Sequence, residues 1–470
     1  MSKRACLPWR GVLSACAMLI GLSGCNFAPV YQRPQADLKP TWSANVAEPS
    51  APQQDIPWES LYTDERLRAL IRAALTNNHD VRLAVSRMEE ARAQWGVQRA
   101  DQVPGVSASL GRVGSLTPAG VANNAAPFHL NRVDANLNLL SFELDFWGRI
   151  ANLTEAARLS YVASTEDQRV IRLGLISEVA NAYFVWLESE QRAALLAQTV
   201  QTREQHLSLT QRRRDLGAAS DLDVTMAQGS LASIQSDAAA MQRQREQARH
   251  ALALLVGGRL PTALPAGVPL QAQSLSLAWG ANLSSEVLLR RPDVRAAEQR
   301  LMAANANIGV ARAAFLPRLQ LTGSVGSASA GLGGLFKDGS REWSFTPLLQ
   351  QPLFDGGRNA RTVDLAEARK VQGVVQYEKT LQQAFREVAD LLVARDTLQQ
   401  QLVSLDAWSR SQQARLRLTE ARYANGAANQ LEVLDAQRDE LNARQLQLQM
   451  QRQGLGTTAQ LYKALGGGDR

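Results

Sequence analysis

Cys25 carries the clearest chemical signal in the sequence. It ends the run Leu22-Ser23-Gly24-Cys25, which follows a positively charged start and an apolar stretch from Gly11 to Leu22. A charged start, a short apolar middle and small residues before the cut are the order of a secretory signal, and a cysteine at this point is typical of a lipoprotein. The predicted chemistry is cleavage after Gly24, with diacylglycerol attached to the Cys25 sulfur and a palmitoyl chain to its amino group.

The remaining cysteines agree with this interpretation. Cys6 and Cys16 both lie in the predicted signal, so the mature chain contains no thiol besides Cys25 and forms no internal disulfide. The apolar stretch is about 12 residues, shorter than the ~20 that a membrane helix requires, which argues against a retained anchor helix. Asn26 follows the lipidated cysteine. In enteric bacteria an aspartate there retains lipoproteins in the inner membrane, so Asn26 favours the outer membrane.

Residues for catalysis or for binding nucleic acid are scarce. The sequence has four histidines and no pair of them at metal-ligand spacing, and it has neither a nucleophile elbow nor a phosphate-binding glycine loop. We therefore expect no enzyme activity, no metal site and surface positions for the histidines. The net charge of +7 falls to +4 without residues 1–24, too small a surplus to indicate nucleic acid. No apolar run after residue 24 approaches a membrane helix in length, which leaves a β-barrel as the way to cross a membrane.

The chain contains two copies of one unit. Four motifs recur in the same order: Asp80-Val81-Arg82 as Asp293-Val294-Arg295, Pro104 as Pro317, Gly148-Arg149 as Gly357-Arg358, and Gly217-Ala218 as Gly426-Ala427. The first two pairs are 213 positions apart and the last two 209, so the halves are colinear. Chance similarity between alanine-rich helices does not align glycines and prolines in this way. The predicted boundaries are 1–24 for the signal, 25–60 for a lipid-anchored extended segment, 61–260 for the first repeat, 261–283 for a linker and 284–468 for the second repeat.

Each copy predicts a helix, two strands and a long helical hairpin. The opening helices run from Asp80 to about Gln102 and from Asp293 to Phe315, and a proline follows each. Apolar and polar residues then alternate around 106–111 and 132–139 in the first copy, and around 318–325 and 342–349 in the second. The Gly- and Ser-rich segments 114–127 and 327–340 are predicted to be extracellular loops.

A strand of about 10 residues with one apolar face suits a tilted strand of a membrane barrel, although a half-buried strand in a soluble sheet has the same pattern. The lipid anchor favours the barrel. Small natural barrels need about eight strands, so four strands per chain require association, and three copies supply twelve. The predicted fold class is an α+β membrane protein, with a trimeric 12-stranded outer-membrane β-barrel continuous with a long periplasmic α-helical coiled-coil barrel.

The hairpin helices are unusually long. Segments 148–216 and 357–425 contain no proline, and about 70 residues of helix extend roughly 100 Å. Turns at Gly217 and Gly426 reverse the chain. In the first returning helix, apolar residues step by four and three from Ala227 to Leu255, a coiled-coil seam interrupted at Arg245. In the second, leucines recur every seven residues: Leu434, Leu441, Leu448 and Leu455.

Short motifs along the whole mature chain point to one family. They are Tyr31-Gln32-Arg33-Pro34, Asp55-Ile56-Pro57-Trp58, Arg290-Arg291-Pro292-Asp293, Arg312-Ala313-Ala314-Phe315-Leu316-Pro317, Leu434-Asp435-Ala436-Gln437-Arg438 and Leu461-Tyr462-Lys463-Ala464-Leu465-Gly466-Gly467-Gly468. With the lipoprotein signal and the duplicated layout, the chain resembles the TolC-like outer-membrane factor family, in particular the lipoprotein exit ducts of tripartite, RND-type multidrug efflux pumps. The resemblance implies a homotrimeric passive duct for drugs or other small molecules, an inner-membrane transporter as its energy source and a periplasmic adaptor. It implies no cofactor beyond the lipid.

The resemblance also assigns roles to residues around the two turns. It implies that the hairpin tips at Gly217 and Gly426 contact the adaptor and that polar residues beside them close the periplasmic entrance. These gate residues are Tyr423, Glu432, Asp435, Arg438, Asp221 and Asp223. Two aspartates just after a glycine turn also suit helix capping, so this second interpretation of Asp221 and Asp223 stays open. Ala428 stands where some relatives carry an arginine that links neighbouring helices.

Two other functions fit the same layout. The first is a duct for type I protein secretion, which gene neighbours would distinguish from drug efflux. The second is a lipid-anchored periplasmic scaffold with long coiled coils and no pore. Conductance in a lipid bilayer separates this scaffold from both ducts.

Overall fold

The computed structural model describes residues 26–35, 42, 56–120, 126–275 and 284–468. The predicted signal and Cys25 lie outside these residues. The helices are α1 (Trp58–Leu61), α2 (Glu65–Asn77), α3 (His79–Ala100), α4 (Arg149–Asp215), α5 (Asp221–Val256), α6 (Pro292–Ala313), α7 (Arg358–Ala424) and α8 (Gln430–Ala464). The strands are β1 (Val106–Thr117), β2 (Phe128–Leu144), β3 (Arg318–Ser329) and β4 (Arg341–Gln350).

Both halves have the predicted order of elements: a helix, two strands, a long helix and a returning helix. The long helices α4 and α7 have 67 residues each, and the returning helices α5 and α8 have 36 and 35. The opening helices α3 and α6 end at Ala100 and Ala313, each two residues earlier than predicted. They stop before Pro104 and Pro317 because a residue that precedes proline is disfavoured in helical conformation.

The strands form one antiparallel sheet in the order β1-β2-β3-β4. Leu137 on β2 lies opposite Ala108 on β1 and Val325 on β3, whereas Asn138 lies opposite Ser107 on β1. The predicted apolar and polar faces are therefore confirmed by the register. The apolar face is open in the single chain, since Leu137 is 54% exposed. Among the described residues, β1 and β4 each have one partner strand and one free edge.

The strands are longer than the sequence indicated. Residues 114–127 and 327–340 were expected to be loops, but β1 continues to Thr117, β2 begins at Phe128 and β3 continues to Ser329. In the register Gly114 lies opposite Asn131 and Thr117 opposite Phe128. Backbone hydrogen bonds hold these pairs whatever the side chains are, so the strands continue beyond the alternating segments.

Residue contacts divide the chain into two compact units. Among the described residues, the first contains residues 26–34 together with Met88–Ser164 and Ala297–Tyr377. The second contains the described residues of the ranges 35–87, 165–296 and 378–468. Each unit takes segments from both halves of the sequence, so the compact units do not coincide with the sequence repeats.

In the first unit, small residues bring the helices close together. Ala156 and Leu159 on α4 pack with Ala303 and Ala306 on α6. The segment 26–34 lies along α6, where the Asn305 side chain donates to the Pro29 carbonyl oxygen at 2.6 Å. Arg33 donates twice to the Glu298 carboxylate, at 2.7 and 3.0 Å. These paired, charge-assisted hydrogen bonds fix the course of the segment. 

The core of the second unit confirms the predicted seam of α5. Leu196 on α4 packs with Ile234 and Met241 on α5, two of the predicted seam positions. Of the four heptad leucines on α8, Leu448 is buried and the other three are half-buried. Leu441 packs against the cluster that Leu196 forms with α5. The other buried positions on the first half of α8 are Gln430, Val433, Ala436, Glu440 and Ala443. The two returning helices are therefore built differently, since the buried face of α8 is not a continuous leucine seam.

One helix in the described residues is long and apolar enough by composition to cross a membrane. A window of 18 residues in α4 has a mean hydropathy of 1.4, and 56% of this window is buried inside the chain. The expectation that no segment after the signal reaches this length and hydropathy is therefore wrong for α4. Its apolar residues are largely covered by other parts of the chain, as in the core helix of a globular protein.

Candidate functional site at the two hairpin turns

The two hairpin turns have the same backbone geometry. Gly217 and Gly426 both have φ of 74°, a left-handed conformation that glycine adopts without a steric penalty. The Ala218 N–H donates to the carbonyl oxygen of Arg213 at 2.7 Å, and Ala427 makes the equivalent bond in the second turn. These bonds satisfy the last carbonyl groups of α4 and α7. The sequence match between the two turns therefore corresponds to one type of helix ending.

Both returning helices begin with a capping box. The Ser220 hydroxyl oxygen accepts from the Asp223 N–H at 3.1 Å, and the Asp223 carboxylate accepts from the Ser220 N–H at 2.9 Å. Asn429 and Glu432 repeat this exchange at the start of α8, and Glu432 also lies 3.5 Å from the Arg422 guanidinium. Hydrogen bonds from the Ser220 backbone and then its hydroxyl lower the pKa of Asp223. Asp223 and Glu432 thus have a structural role within one chain.

Asp221 does not cap its helix, so that interpretation of this residue is wrong. The cap is Ser220, whose extended backbone (φ −90°, ψ 165°) suits the residue that precedes a helix. The Asp221 side chain is 92% exposed and lies 3.8 Å from the Arg214 guanidinium. As the first residue of α5, Asp221 adds only a favourable charge near the positive end of the helix.

A chain of polar contacts joins α4, α7 and α8 beside the turns. The Arg213 guanidinium donates to the Tyr423 hydroxyl at 3.0 Å, and this hydroxyl donates to the Gln430 amide oxygen at 3.3 Å. The Gln430 amide nitrogen lies 3.0 Å from the ring nitrogen Nε2 of His206. Tyr423 was predicted at this site, whereas the other three residues were missed. The sequence offers a signal for two of them: His206 and Arg213 are seven residues apart, which places them two turns apart on one face of α4.

The electrostatics of this contact chain favour a neutral histidine. Burial and the positive charges of Arg203 and Arg213 lower the pKa of His206. A neutral ring nitrogen is a suitable acceptor for the amide N–H of Gln430, which is itself buried. The Arg213 guanidinium lies 5.4 Å from the centre of the Tyr423 ring, a cation–π contact. His206 is half-buried rather than fully exposed, because Gln430 on α8 contacts its ring.

Asp435 and Arg438 are in contact, as is usual for residues three apart on one helix. Their charged groups are 3.4 Å apart, and Arg438 also lies 3.3 Å from Asp439. Asp439 in turn pairs with Arg415 on α7 at 2.6 Å, and the hydrogen bond from Arg415 lowers its pKa. Both side chains of the Asp435–Arg438 pair are well exposed in the single chain. Such a surface pair adds little to stability, so its position at the turn is more informative than its energy.

The structure places the predicted gate residues in two groups. Tyr423, Glu432, Asp435 and Arg438 lie around the second turn, and Asp221 and Asp223 begin the helix that follows the first. In the described residues, no group of three His, Cys, Asp or Glu side chains is placed to hold a metal ion. The site therefore consists of charged pairs, two capping boxes and one polar contact chain.

The fold and these turns define a class of protein: a small antiparallel sheet with an open apolar face, connected to two very long helical hairpins. Comparisons with known proteins identify the family. Residues 70–258 and 283–467 match the family described as outer membrane efflux protein. The chain is 41% identical over 458 residues to the outer membrane protein OprJ of Pseudomonas aeruginosa, with 97% of this chain and 95% of the relative covered. It is 38% identical over 459 residues to the toluene efflux pump outer membrane protein TtgI of Pseudomonas putida, with 96% and 97% covered.

Solved structures agree with the sequence comparison. A membrane protein from Pseudomonas aeruginosa has a TM-score of 0.87 at 40% identity, with 94% of this chain and 98% of that chain covered. The open state of the Neisseria gonorrhoeae MtrE outer membrane channel has a TM-score of 0.84 at 36% identity, with the same coverage. The chain therefore belongs to the outer membrane efflux protein family. It is an outer-membrane component of an efflux system, and the predicted family and location are confirmed.

Proposed function

We propose that three copies of this chain form a passive exit duct through the outer membrane. The observation that carries this proposal is a four-stranded sheet with an open apolar face and free edges at β1 and β4. Unpaired strand edges are not tolerated in a bilayer, so the sheet must close on other copies. Pairing β4 of each copy with β1 of the next gives twelve strands, with the apolar face toward lipid.

The proposed cargo is drugs or other small molecules. Relatives of 36 to 38% identity carry names that refer to solvent, toluene and antibiotic efflux. In this proposal the duct has no catalytic activity and no energy source of its own. An inner-membrane transporter drives the cargo and a periplasmic adaptor connects the two membranes. Protein secretion has no comparable support among these relatives.

The adaptor is proposed to contact the hairpin tips at Gly217 and Gly426. The side chains of Leu216 and Leu222 beside the first turn and of Leu431 beside the second are exposed in the single chain. Exposed leucines next to rigid turns suit an apolar partner surface. Rings of these tips around a threefold axis would present six such contacts to the adaptor.

The gate is proposed to form where the hairpin turns of three copies meet. Threefold symmetry converts each carboxylate into a ring of three, and such a ring stays closed only if cations neutralise it. Arg438 provides this charge beside Asp435 within each chain, and it can also reach a neighbouring copy. Tyr423, Glu432, Asp221 and Asp223 belong to the same proposed closure. The contact chain from Tyr423 to His206 holds α7 and α8 against α4 within a protomer.

The lipid anchor is proposed to be diacylglycerol and palmitate on Cys25. Support comes from the signal sequence and from Asn26, whose side-chain oxygen accepts from the Asn152 side chain at 2.9 Å near the start of α4. Asn152 belongs to the compact unit that contains the four strands. The acyl chains would therefore start close to the strands that cross the membrane.

Conductance in planar lipid bilayers tests the duct. The purified protein should migrate as a trimer on gels without boiling and should open long-lived channels, whereas a boiled sample should not. A stable trimer that never conducts would support the scaffold instead. In cells that lack the gene, the protein should restore tolerance to toluene and to antibiotics. Restored export of a secreted protein without any change in tolerance would contradict the proposed cargo.

A further inference from the structure

The segment between β4 and α7 carries two apolar residues that nothing in the single chain covers. Leu353 is 94% exposed and Phe354 is 93% exposed. The same segment in the first repeat, residues 144–147, is half-buried. Between β2 and α4, Trp147 donates from its ring N–H to the carbonyl oxygen of Pro317 at 2.8 Å, and Phe27 packs 6.5 Å from its ring. The contrast indicates that the second segment lacks a partner.

Comparison of the two repeats indicates which strand that partner is. Within one chain, β2 pairs with β3. Leu144, the last residue of β2, lies opposite Leu319 on β3. Leu353 is the counterpart of Leu144, since Gly148 and Gly357 have the same offset of 209 positions. Yet β4 ends at Gln350, three residues earlier. The strand that follows β4 in the proposed trimer is β1 of the next copy, and this strand is absent from a single chain.

The offset between repeats also gives the register. Val106 is the counterpart of Leu319, because Pro104 and Pro317 are 213 positions apart. Transferring the Leu144–Leu319 pair to the interface therefore places Leu353 opposite Val106. β2 has a bulge between Leu139 and Phe142, whereas β4 pairs with β3 without one. Counting along β4 without a bulge, Gln350 lies opposite Ser109.

We propose that β4 of one protomer extends to Leu353 and pairs with β1 of the next in this register. Leu353 and Phe354 then cover the linker between α3 and β1 of the neighbouring copy. The inference rests on the proposed trimer and specifies its interface. The covered linker contains the exposed residue Val103, and its proline is the counterpart of the proline that Trp147 contacts within the chain.

The faces of the sheet agree with this register. Leu353 and Val106 both fall on the apolar face, and Gln350 and Ser109 both fall on the polar face. A shift by one residue would place Leu353 opposite Ser107 and mix the two faces. Any shift by an even number of residues keeps the faces. A shift by four places Leu349 opposite Val106 and Thr346 opposite Ser109, and it leaves Leu353 and Phe354 beyond the paired strands. This register, in which β4 ends where it does in the single chain, is the alternative to exclude.

Engineered cysteines distinguish the two registers. All natural cysteines lie at or before residue 25, so the body of the chain has no competing thiol. Ser109→Cys combined with Gln350→Cys should give disulfide-linked dimers and trimers on oxidation. Ser109→Cys combined with Thr346→Cys should give none, since four residues of strand separate the positions by about 13 Å. Linkage of the Thr346→Cys pair instead, in an intact trimer, would overturn the register while leaving the duct in place.

A matched pair of substitutions tests the apolar contact. Phe354→Ser should lower the temperature at which the trimer dissociates on gels by several degrees, whereas Phe336→Ser should not change it. Phe336 is 84% exposed in the loop between β3 and β4, far along the sheet from the proposed contact. Equal behaviour of the two variants, with the Gln350→Cys pair still linking, would mean that Phe354 makes no contact with the neighbouring copy and would overturn the contact. A wild-type chain that forms no trimer would refute the proposed function itself.

Discussion

Asp435 and Arg438 are the gate residues whose removal has the clearest expected effect. In the proposed trimer, Asp435→Ala removes one of the two carboxylates beside each Arg438, so the three arginines repel one another more strongly around a narrow entrance. We expect higher single-channel conductance and increased entry of large antibiotics. Asp364→Ala is a matched control, because Asp364 forms an exposed pair of the same spacing with Arg361 at 2.9 Å near the start of α7.

The charge-swapped double variant, Asp435→Arg with Arg438→Asp, tests whether these residues act together. If they pair with each other, it should recover part of the closure, since coupled residues are not additive. Wild-type conductance for Asp435→Ala in intact trimers would remove this residue from the gate. Its role would then be adaptor contact or helix stability.

His206 should make the turn region sensitive to acid. Its pKa in the folded chain is lowered below the ordinary value of 6.5, so below pH 6.5 the unfolded segment takes up a proton more readily than the folded one. The stability that the neutral ring contributes is full above pH 6.5 and is lost as pH falls toward the lowered pKa. After correction for intrinsic rates, amide hydrogen exchange of residues 203–213 and 423–430 should therefore be faster at pH 5.5 than at pH 7.5.

Two glutamine variants isolate this effect. His206→Gln keeps a partner for Gln430 but does not titrate, so the extra exchange at pH 5.5 should disappear. His79→Gln changes an exposed histidine at the start of α3 and should leave the pH dependence as it is. An undiminished pH dependence in His206→Gln would contradict the assignment of the effect to His206.

At the scale of the elements, the two faces of the sheet should tolerate charge differently. Leu137→Arg and Leu321→Arg put a charge on the proposed lipid face, at a cost of roughly 2 to 4 kcal/mol per chain near the middle of the bilayer. Asn138→Arg and Thr322→Arg put it on the polar face and should be milder. The yield of trimer in outer-membrane fractions measures the difference. Equal losses for both pairs would contradict the assigned faces.

The elements were predictable where a local pattern determines them. Alternation identified the strand faces, the absence of proline identified α4 and α7, and recurring glycines identified the turns. The ends of β1 and β3 were not predictable, because pairing with a neighbouring strand extends them past the alternating residues. The buried face of α8 was also missed, since the close packing of Ala436 and Ala443 depends on which helices lie beside it.

The candidate site likewise has one part that the sequence predicts and one part that it does not. The pair Asp435–Arg438 is three residues apart on one helix, and its contact follows from that spacing. The contact chain through Arg213, Tyr423 and Gln430 joins three helices that are far apart in the sequence. No local pattern encodes such a neighbourhood. Ser220 rather than Asp221 became the cap because the backbone of the turn, not the residue type alone, decides which side chain meets the free N–H groups.

For the whole molecule, anchoring and assembly should be separable. Lipid on Cys25 and the apolar face of the sheet are two independent attractions to the membrane, and in the proposal only the sheet spans it. The segment after Cys25 has its own attachment to the protein, because Arg33 is bound by Glu298 and Pro29 by Asn305. This segment should therefore keep its course along α6 when the lipid is missing.

Cys25→Ser should consequently yield a chain without palmitate that still forms trimers. Metabolic labelling with radioactive palmitate measures the first outcome, and gels of unboiled membrane fractions measure the second. Cys16→Ser is the control, since it removes a cysteine from the predicted signal and should leave the label unchanged. Label that persists on Cys25→Ser would refute the lipoprotein site. Loss of trimers together with the label would mean that the free edges of β1 and β4 pair only when the acyl chains hold the sheets at the membrane.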